Sequence, residues 1–513
     1  MKKTIVSVAV LGVLLQGQSL FAKTLEDVLK EKGIITQQDY DEITKSKPAS
    51  ANEAQPVKGG EVSVEHGSQG GYNLKMKGIT VNLGGFIEAA SIYRSRNINS
   101  DMSSKFQALP LPYLPAYYQD ETRFSARQSR LSLLVQGDAN PATHLAGYYE
   151  MDFLGAANSA NSKESNSFNL RVRHLYTTVD WDNLGLHLLG GQAWSLVTLN
   201  NNGITPRNEV TPLTIDAQYV PGFTWARQPG FRIVKDLFDK KLWLAASVEN
   251  PQTVGPGNTA STAGGTPTPS TVATNFSINQ TGGGNLDGVT LSANDVPDII
   301  VKMAVEPGWG HFEVYDIIRT FQSTVNPTGT PFLVRSHITT TAVGGGMILP
   351  IIPKQLNVMA SAIYGEGIGR YGSAQLPDVA QDAFGNLVPI RELQFLTGVV
   401  GDPTDDINLY AYYGQEQTYN TKATPTSPGW GYGSDNTGAY MFGSKFATTG
   451  GNIERVSQVT TGGWWKFLQG QYGRMQAGLQ YSYSINKYFD AAKGGGPTAN
   501  DHMVFTSLRY YWQ

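Results

Sequence analysis

Apolar and polar side chains alternate with a period of two from residue 79 to the C-terminus. In Ile79-Thr-Val-Asn-Leu-Gly-Gly-Phe-Ile-Glu-Ala-Ala-Ser-Ile-Tyr-Arg94, odd positions are mostly apolar and even positions include Thr80, Asn82 and Glu88. The stretch 474–486 repeats the pattern. Successive residues of a strand point to opposite faces, so each of these strands has one apolar and one polar face. The pattern predicts an all-β fold.

The connections between these strands alternate in length. Short turns are expected near 137–143, 182–183, 236–240, 307–310, 350–354, 401–405 and 470–471. Long connections are expected at 95–122, 155–167, 195–224, 251–295, 322–331, 371–389, 420–451 and 487–500. Seven short and eight long connections indicate about sixteen antiparallel strands. One miscounted pair of strands would change this number to fourteen or eighteen. Outer-membrane barrels show this alternation, whereas soluble sandwiches do not require it. We therefore predict a transmembrane β-barrel.

The composition fits a barrel that is apolar outside and polar inside. Charged residues make up 16%, there are 57 Gly and 25 Tyr, and the mean hydropathy is -0.26. No apolar run approaches the roughly 20 residues that a membrane helix needs, which excludes a helical membrane protein. The net charge of -3 offers no basic field for nucleic acid, and the absence of Cys excludes disulfides.

The residues before the barrel divide into three predicted segments. Residues 1–22 have a basic start, a short apolar run and small residues up to Ala22, which indicates a signal peptide. Residues 23–45 predict a short α-helical extension in the periplasm, and 46–78 a linker rich in Pro, Ala, Ser and Gly. This region is either an inert spacer or a small module for oligomerisation or periplasmic contact. The barrel is expected to occupy 79–513, with a long external loop at 251–295.

No constellation of residues indicates catalysis. The histidines lack metal-ligand spacing, and the Gly344-Gly-Gly346 run suits close packing or a bend in a strand. Glu150 and Asp152 share a strand face and are interpreted as charges of the lumen. We therefore predict neither an enzyme nor a bound metal or cofactor. The alternatives are a non-porin surface barrel, such as an adhesin, or an outer-membrane barrel enzyme.

Arginines recur along the predicted strands. A charge on the lipid face costs roughly 2–4 kcal/mol at the midplane, so most of them must face the lumen or lie beyond the bilayer. Rings of such cations favour anions in pores. The predicted pore-lining set is Arg94, Arg130, Arg171, Arg173, Arg232, Arg319 and Arg474. The alternative is that each arginine pairs with a neighbouring carboxylate, since Asp and Glu total 42 against 39 Lys and Arg.

Arg127 and Arg130 differ in parity along one strand. A regular strand cannot send both inward, so either a bulge intervenes or Arg127 lies beyond the membrane.

The chain resembles the DcaP-like outer-membrane porins, distant relatives of the phosphate-selective porins. The likeness covers the first half of the barrel well and the second half mainly in pattern. It rests on Gly85-Phe-Ile-Glu-Ala-Ala-Ser-Ile-Tyr-Arg94, Ser125-Ala-Arg-Gln-Ser-Arg130, Tyr149-Glu-Met-Asp-Phe-Leu-Gly155, Leu170-Arg-Val-Arg-His-Leu-Tyr176, Gly191-Gln-Ala-Trp-Ser-Leu196 and Ala226-Arg-Gln-Pro229. The uncharged insert 251–295 and the final Gln513 depart from the family's pattern.

The resemblance implies a sixteen-stranded, homotrimeric porin that prefers small anions such as dicarboxylates. It implies that the loop 195–224 folds inward as the constriction, with Arg207 beside the narrowest point. It also matches Arg94, Arg130, Arg171 and Arg173 to the family's binding arginines. The expected activity is passive diffusion through the bacterial outer membrane, with membrane lipids and anionic solutes as partners and no nucleic acid.

Overall fold

The computed structural model describes most of the barrel. The described residues are 62–66, 72–76, 78–112, 114–155, 169–255, 276–277, 279–281, 290–292, 294–325, 334–381, 387–419, 421–422, 431–432, 453–489 and 497–512. The predicted signal peptide, the predicted helical extension 23–45 and most of the predicted loop 251–295 lie outside them.

Sixteen antiparallel strands form a closed barrel, which confirms the predicted fold class. They are β1 (Ile79–Arg94), β2 (Arg130–Asn140), β3 (Thr143–Gly155), β4 (Asn169–Trp181), β5 (Leu186–Trp194), β6 (Arg227–Leu237), β7 (Leu242–Glu249), β8 (Asp298–Val305), β9 (His311–Val325), β10 (Val334–Ile352), β11 (Leu356–Glu366), β12 (Arg391–Thr404), β13 (Ile407–Thr418), β14 (Ile453–Gly470), β15 (Gly473–Tyr488) and β16 (Thr498–Tyr511).

Each strand pairs with the next, and β16 returns to β1. The closing register runs from Met503 opposite Arg94 to Tyr511 opposite Phe86. All seven short turns connect strands at one end of the barrel, as the sequence predicts, and the eight long connections lie at the other end. We call these the short-turn end and the long-loop end.

A β-hairpin lies within the segment that the sequence analysis assigned to a linker, 46–78. Its strands are Val62–His66 and Tyr72–Met76, and the second pairs with β1 from Asn73 opposite Asn82 to Met76 opposite Ile79. The sheet therefore begins before residue 79.

Short strands and 3₁₀ helices lie in the long connections and in the β4–β5 turn. The additional strands are Glu121–Ser125, Phe276–Ser277, Asn279–Thr281, Thr290–Ser292, Val379–Gln381, Leu387–Pro389, Thr421–Lys422 and Gly431–Tyr432. The 3₁₀ helices are Phe106–Ala108, Pro115–Tyr118, Asp182–Leu184 and Gly369–Tyr371. No helix among the described residues has the length and apolarity needed to cross a membrane.

The two faces of the wall differ as the alternation predicts. In β1 the outward residues Leu83 and Ile87 are exposed, while the inward Glu88 and Arg94 are buried. Exposed aromatic side chains lie at the short-turn end, namely Phe238, Trp309, Trp465 and Tyr472, and at the long-loop end, namely Tyr118 and Phe124. An apolar outer surface bordered by aromatic residues is the pattern of a barrel in lipid.

A one-residue bulge explains the parity of Arg127 and Arg130. Phe86 pairs with Arg130 in β2, but Ala90 pairs with Ser125, so four residues on one strand oppose three on β1. Arg127 reaches Asp101 inside the barrel, and Arg130 packs over the inward ring of Phe86. The bulge, one of the two predicted explanations, is therefore confirmed.

The connection between β5 and β6 crosses the lumen, and we call residues 195–226 the inward loop. Its backbone meets the opposite wall, where Trp464 Nε1 donates to the Leu213 carbonyl at 2.8 Å and Gly222 N donates to Glu416 Oε1 at 2.8 Å. Ile215 and Val220 are fully buried in a core shared with residues of β12, β13, β14 and β16. The inward fold that the resemblance implied is present.

The Gly344-Gly-Gly346 run provides close packing, as the sequence suggested. Gly344 lies opposite Tyr315 in the β9–β10 register, and a Cβ there would overlap the Tyr315 ring. A Cβ on Gly346 would lie 2.7 Å from Leu199 Cδ1 of the inward loop. These glycines therefore make room for buried side chains.

We predict that Gly344→Ala destabilises the barrel by about 1–3 kcal/mol, because the added methyl overpacks the Tyr315 site. Urea unfolding in lipid vesicles measures this loss. Gly470→Ala is the matched control, since a Cβ there meets nothing within 4 Å. Equal stability of the two variants would contradict the packing role.

Candidate functional site

Four arginines and two carboxylates meet inside the barrel where the inward loop approaches β2 to β4. We call this group the arginine cluster: Arg130, Arg171, Arg173, Arg227, Glu150 and Asp152. Tyr219 of the inward loop lies against it, with Arg173 Nη2 donating to the Tyr219 hydroxyl at 3.4 Å.

A second bulge assembles the cluster. Met151 pairs with Val172, but Glu150 pairs with His174, which leaves Arg173 as the extra residue of β4. Arg173 and His174 are consequently both buried inside the barrel, while Val172 and Leu175 are exposed outside. Bulges commonly redirect side chains in this way.

The arginines of the cluster differ in how closely they approach its two carboxylates. Arg171 binds Asp152 with two hydrogen bonds of 3.0 and 2.7 Å, and Arg173 reaches the same carboxylate at 3.0 Å. Arg173 also contacts Glu150 at 2.5 Å, while Arg130 approaches Glu150 only to 4.0 Å. Charge-assisted pairs of this kind fix the orientation of both partners.

Arg227 has no ion pair with any carboxylate in the part of the chain that the structure describes. Its guanidinium lies 4.7 Å from the centre of the Trp194 ring and 5.5 Å from that of Trp225. Arg227 Nη1 and Arg130 Nε are buried without a hydrogen-bond acceptor. Four guanidinium groups against two carboxylates leave the cluster with a surplus positive charge.

The charge of the cluster acts on Tyr219. Burial alone would raise the pKa of its hydroxyl, but Arg173, Arg130 and Arg227 outweigh that effect and lower the pKa to about 8. Tyr219 has φ of 66°, in the left-handed region, a strain of order 1–3 kcal/mol that surrounding contacts must offset. The loop therefore holds this hydroxyl against the arginines at a conformational cost.

A cavity of about 1700 Å³ lies on the long-loop side of the cluster, and we call it the upper cavity. Its inner lining includes Arg127, Arg171, Gln218, Trp225 and Ser373. Trp225 Nε1 is a buried donor without an acceptor there. Trp225 thus offers an unpaired donor on this side of the cluster.

A second cavity, of about 380 Å³, lies at the short-turn end, and we call it the lower cavity. Arg207 of the inward loop lines it together with His144 and His187. The guanidinium lies 5.6 Å from the centre of the Tyr148 ring. Arg207 is exposed on the inward loop at this cavity.

The other predicted arginines lie elsewhere in the barrel. Arg94 is fully buried and pairs with Glu121 at 3.0 Å, and Arg319 is 1% exposed and pairs with Asp298 and Asp378. Neither guanidinium is accessible to a solute in this structure. Arg232 donates to the Trp194 carbonyl at 2.6 Å, and Arg474 packs over Tyr511.

The predicted set is thus divided. The structure brings together Arg130, Arg171 and Arg173, and it pairs Arg94, Arg171, Arg173 and Arg319 with carboxylates as the alternative interpretation required. Sequence reasoning did not select Arg227 or Tyr219, because their positions depend on how the inward loop folds back. Among the described residues, no three His, Cys, Asp or Glu side chains group as metal ligands.

We predict that Arg173→Met destabilises the barrel by about 3–5 kcal/mol, because the buried Glu150 loses its close cation and keeps only Arg130 at 4.0 Å. Arg207→Met, at an exposed position, should change the free energy of unfolding by less than about 0.5 kcal/mol. Urea unfolding in vesicles compares the two. A small effect at Arg173 would contradict its structural role in the cluster.

Comparison with known proteins supports the architecture at low sequence identity. No family model and no curated protein matches the chain. The crystal structure of the outer membrane channel DcaP of Acinetobacter baumannii matches with a TM-score of 0.60 and 17% identity, covering 85% of this chain and 97% of that one. The anion-selective porin from Comamonas acidovorans has a TM-score of 0.44 and 11% identity, covering 84% and 99%. Only the first supports an argument, and the chain shares the barrel fold of the DcaP channel.

Proposed function

We propose that this chain is an outer-membrane porin through which small anionic solutes, such as dicarboxylates, diffuse passively. The observation that carries the proposal is the arginine cluster, which has more guanidinium groups than carboxylates and lies inside the barrel, where Arg171 borders the upper cavity. Passive diffusion requires no catalytic group and no energy source.

The exterior of the barrel supports a membrane location. Outward residues such as Phe231, Val301 and Leu479 are apolar and exposed, which in water would be unfavourable over so large an area. Together with the aromatic residues of the short-turn end, they match a lipid-facing band. We place the short-turn end in the periplasm, with residues 23–45 on the same side after removal of 1–22.

The chemistry of the cluster favours the binding of anions and, among them, of dianions. Arg130 and Arg227 both act electrostatically on Tyr219, yet only Arg130 approaches a carboxylate, at 4.0 Å. Guanidinium groups bind carboxylates with paired hydrogen bonds. Two incompletely paired guanidinium groups around one point provide positions for two carboxylates of one solute. We also propose a homotrimer, by analogy with the family that the sequence resembles.

The reversal potential of the channel under a KCl gradient tests the proposal. The wild-type protein should favour Cl⁻ near pH 6, and Arg130→Gln with Arg227→Gln should reduce the anion-to-cation permeability ratio. A charge at the wall of a wet pore changes an ion's energy by about 1 kcal/mol, so we expect a reduction of about fivefold for each arginine.

Arg391→Gln is the control for that experiment, because Arg391 forms an exposed ion pair with Glu366 rather than facing the cluster. It should leave the permeability ratio unchanged. A cation-selective wild-type channel would refute the anion preference, and a folded protein that never conducts would refute the porin itself.

The pKa of Tyr219 predicts a pH dependence. Below pH 8 the hydroxyl is neutral, and above it the phenolate cancels one positive charge of the cluster. The anion preference should therefore fall by up to about fivefold as the pH rises through 8. Tyr219→Phe should remove this step while keeping the ring, and an identical titration curve for the variant would contradict the assignment.

A further inference from the structure

Three histidines at the short-turn end each lie between two carboxylates. His144 Nδ1 is 2.6 Å from Asp138 and its Nε2 is 3.2 Å from Asp182. His187 Nδ1 is 2.7 Å from Asp180 and its Nε2 is 3.0 Å from Asp236. The same arrangement appears around a third ring, His311, with Glu306 at 2.5 Å and Glu313 at 3.0 Å.

The proton count of these groups follows from the geometry. A neutral imidazole has one N–H, and an ionised carboxylate can only accept hydrogen bonds. Both ring nitrogens of His144 face carboxylate oxygens, and so do both of His187. Each arrangement is satisfied when the histidine is an imidazolium, and loses one hydrogen bond when the imidazole is neutral.

Two of the three histidines face the route to the periplasm. His144 and His187 line the lower cavity with Asp138, Asp180 and Asp182, whereas His311 is buried. Apart from the two histidines, the cationic side chain that lines this cavity is Arg207 of the inward loop. A solute that leaves the barrel through the lower cavity therefore meets these groups.

We propose that His144 and His187 determine the anion permeability of the lower cavity, which repels anions weakly when the histidines are imidazolium ions and strongly when they are neutral. The proposal rests on the porin function proposed above and adds a second selectivity element to it. Each histidine with its two carboxylates carries a charge of -1 when the ring is protonated and -2 when it is not.

The surrounding groups do not replace the lost charge. Around His144 the charged groups are Asp138 of β2, Asp182 of the β4–β5 turn and Arg207 of the inward loop. Around His187 they are Asp180 of β4 and Asp236 of β6, and the Trp243 ring of β7 stacks at 5.6 Å. Lys235 of β6 donates instead to the Leu184 carbonyl. Arg207 alone must then oppose four carboxylates.

Reversal potentials measured from about pH 5 to about pH 9 test the proposal, in a Tyr219→Phe background that removes the phenol titration. With both histidines present, the anion-to-cation permeability ratio should fall about fivefold or more over this range. His144→Asn with His187→Asn should give a low ratio that no longer changes with pH. His144→Lys with His187→Lys keeps the charge, and should give a high ratio that also no longer changes.

His337→Asn is the matched control, because His337 lies toward the long-loop end and only its Nε2 meets Asp295 and Gln322. It should keep the pH dependence of the background protein. A background ratio that does not vary with pH, or a double Asn variant that titrates like the background, would overturn the role of the histidines. A background channel without anion preference at any pH would instead refute the proposed function.

Discussion

The structure depends on the requirement that every backbone N–H and C=O in the membrane has a partner within the protein. Lipid offers no hydrogen bonds, so a sheet that crosses it must close on itself. The pairing of β16 with β1 meets this requirement from Met503 opposite Arg94 to Tyr511 opposite Phe86. Closure in turn creates an interior, and that interior is where the charged side chains of sixteen alternating strands are brought together.

An interior of this size is filled by the chain itself. The inward loop lies across it, held by backbone hydrogen bonds to Glu416 and Trp464 on the opposite wall and by apolar contacts through Ile215. This positions Tyr219 against the arginine cluster and Arg207 at the lower cavity. The wall provides the cations, and the loop determines which of them remain close to open space.

The sequence predicts the repetitive part of the fold because period-two alternation and turn length are local signals. It predicts the strand count and the inward face for this reason, and it offers a bulge near Arg127 as one of two explanations. Charge pairing depends on distant segments, and the sequence could not distinguish Arg319, which pairs with Asp298 and Asp378, from Arg130. The hairpin before residue 79 was missed because its neighbours are rich in Gly, Pro and Ser.

The bulge at Arg173 links the length of a strand to the charge of the lumen. Because β4 has one residue more than its partner requires, Arg171, Arg173 and His174 all face inward. While this bulge is kept, removing or inserting a single residue elsewhere in β4 would reverse the parity of the strand on one side of the change and turn inward side chains toward lipid. In this region, insertions and deletions are therefore tolerated less than substitutions as the sequence diverges. Strand length is itself a determinant of the pore's electrostatics.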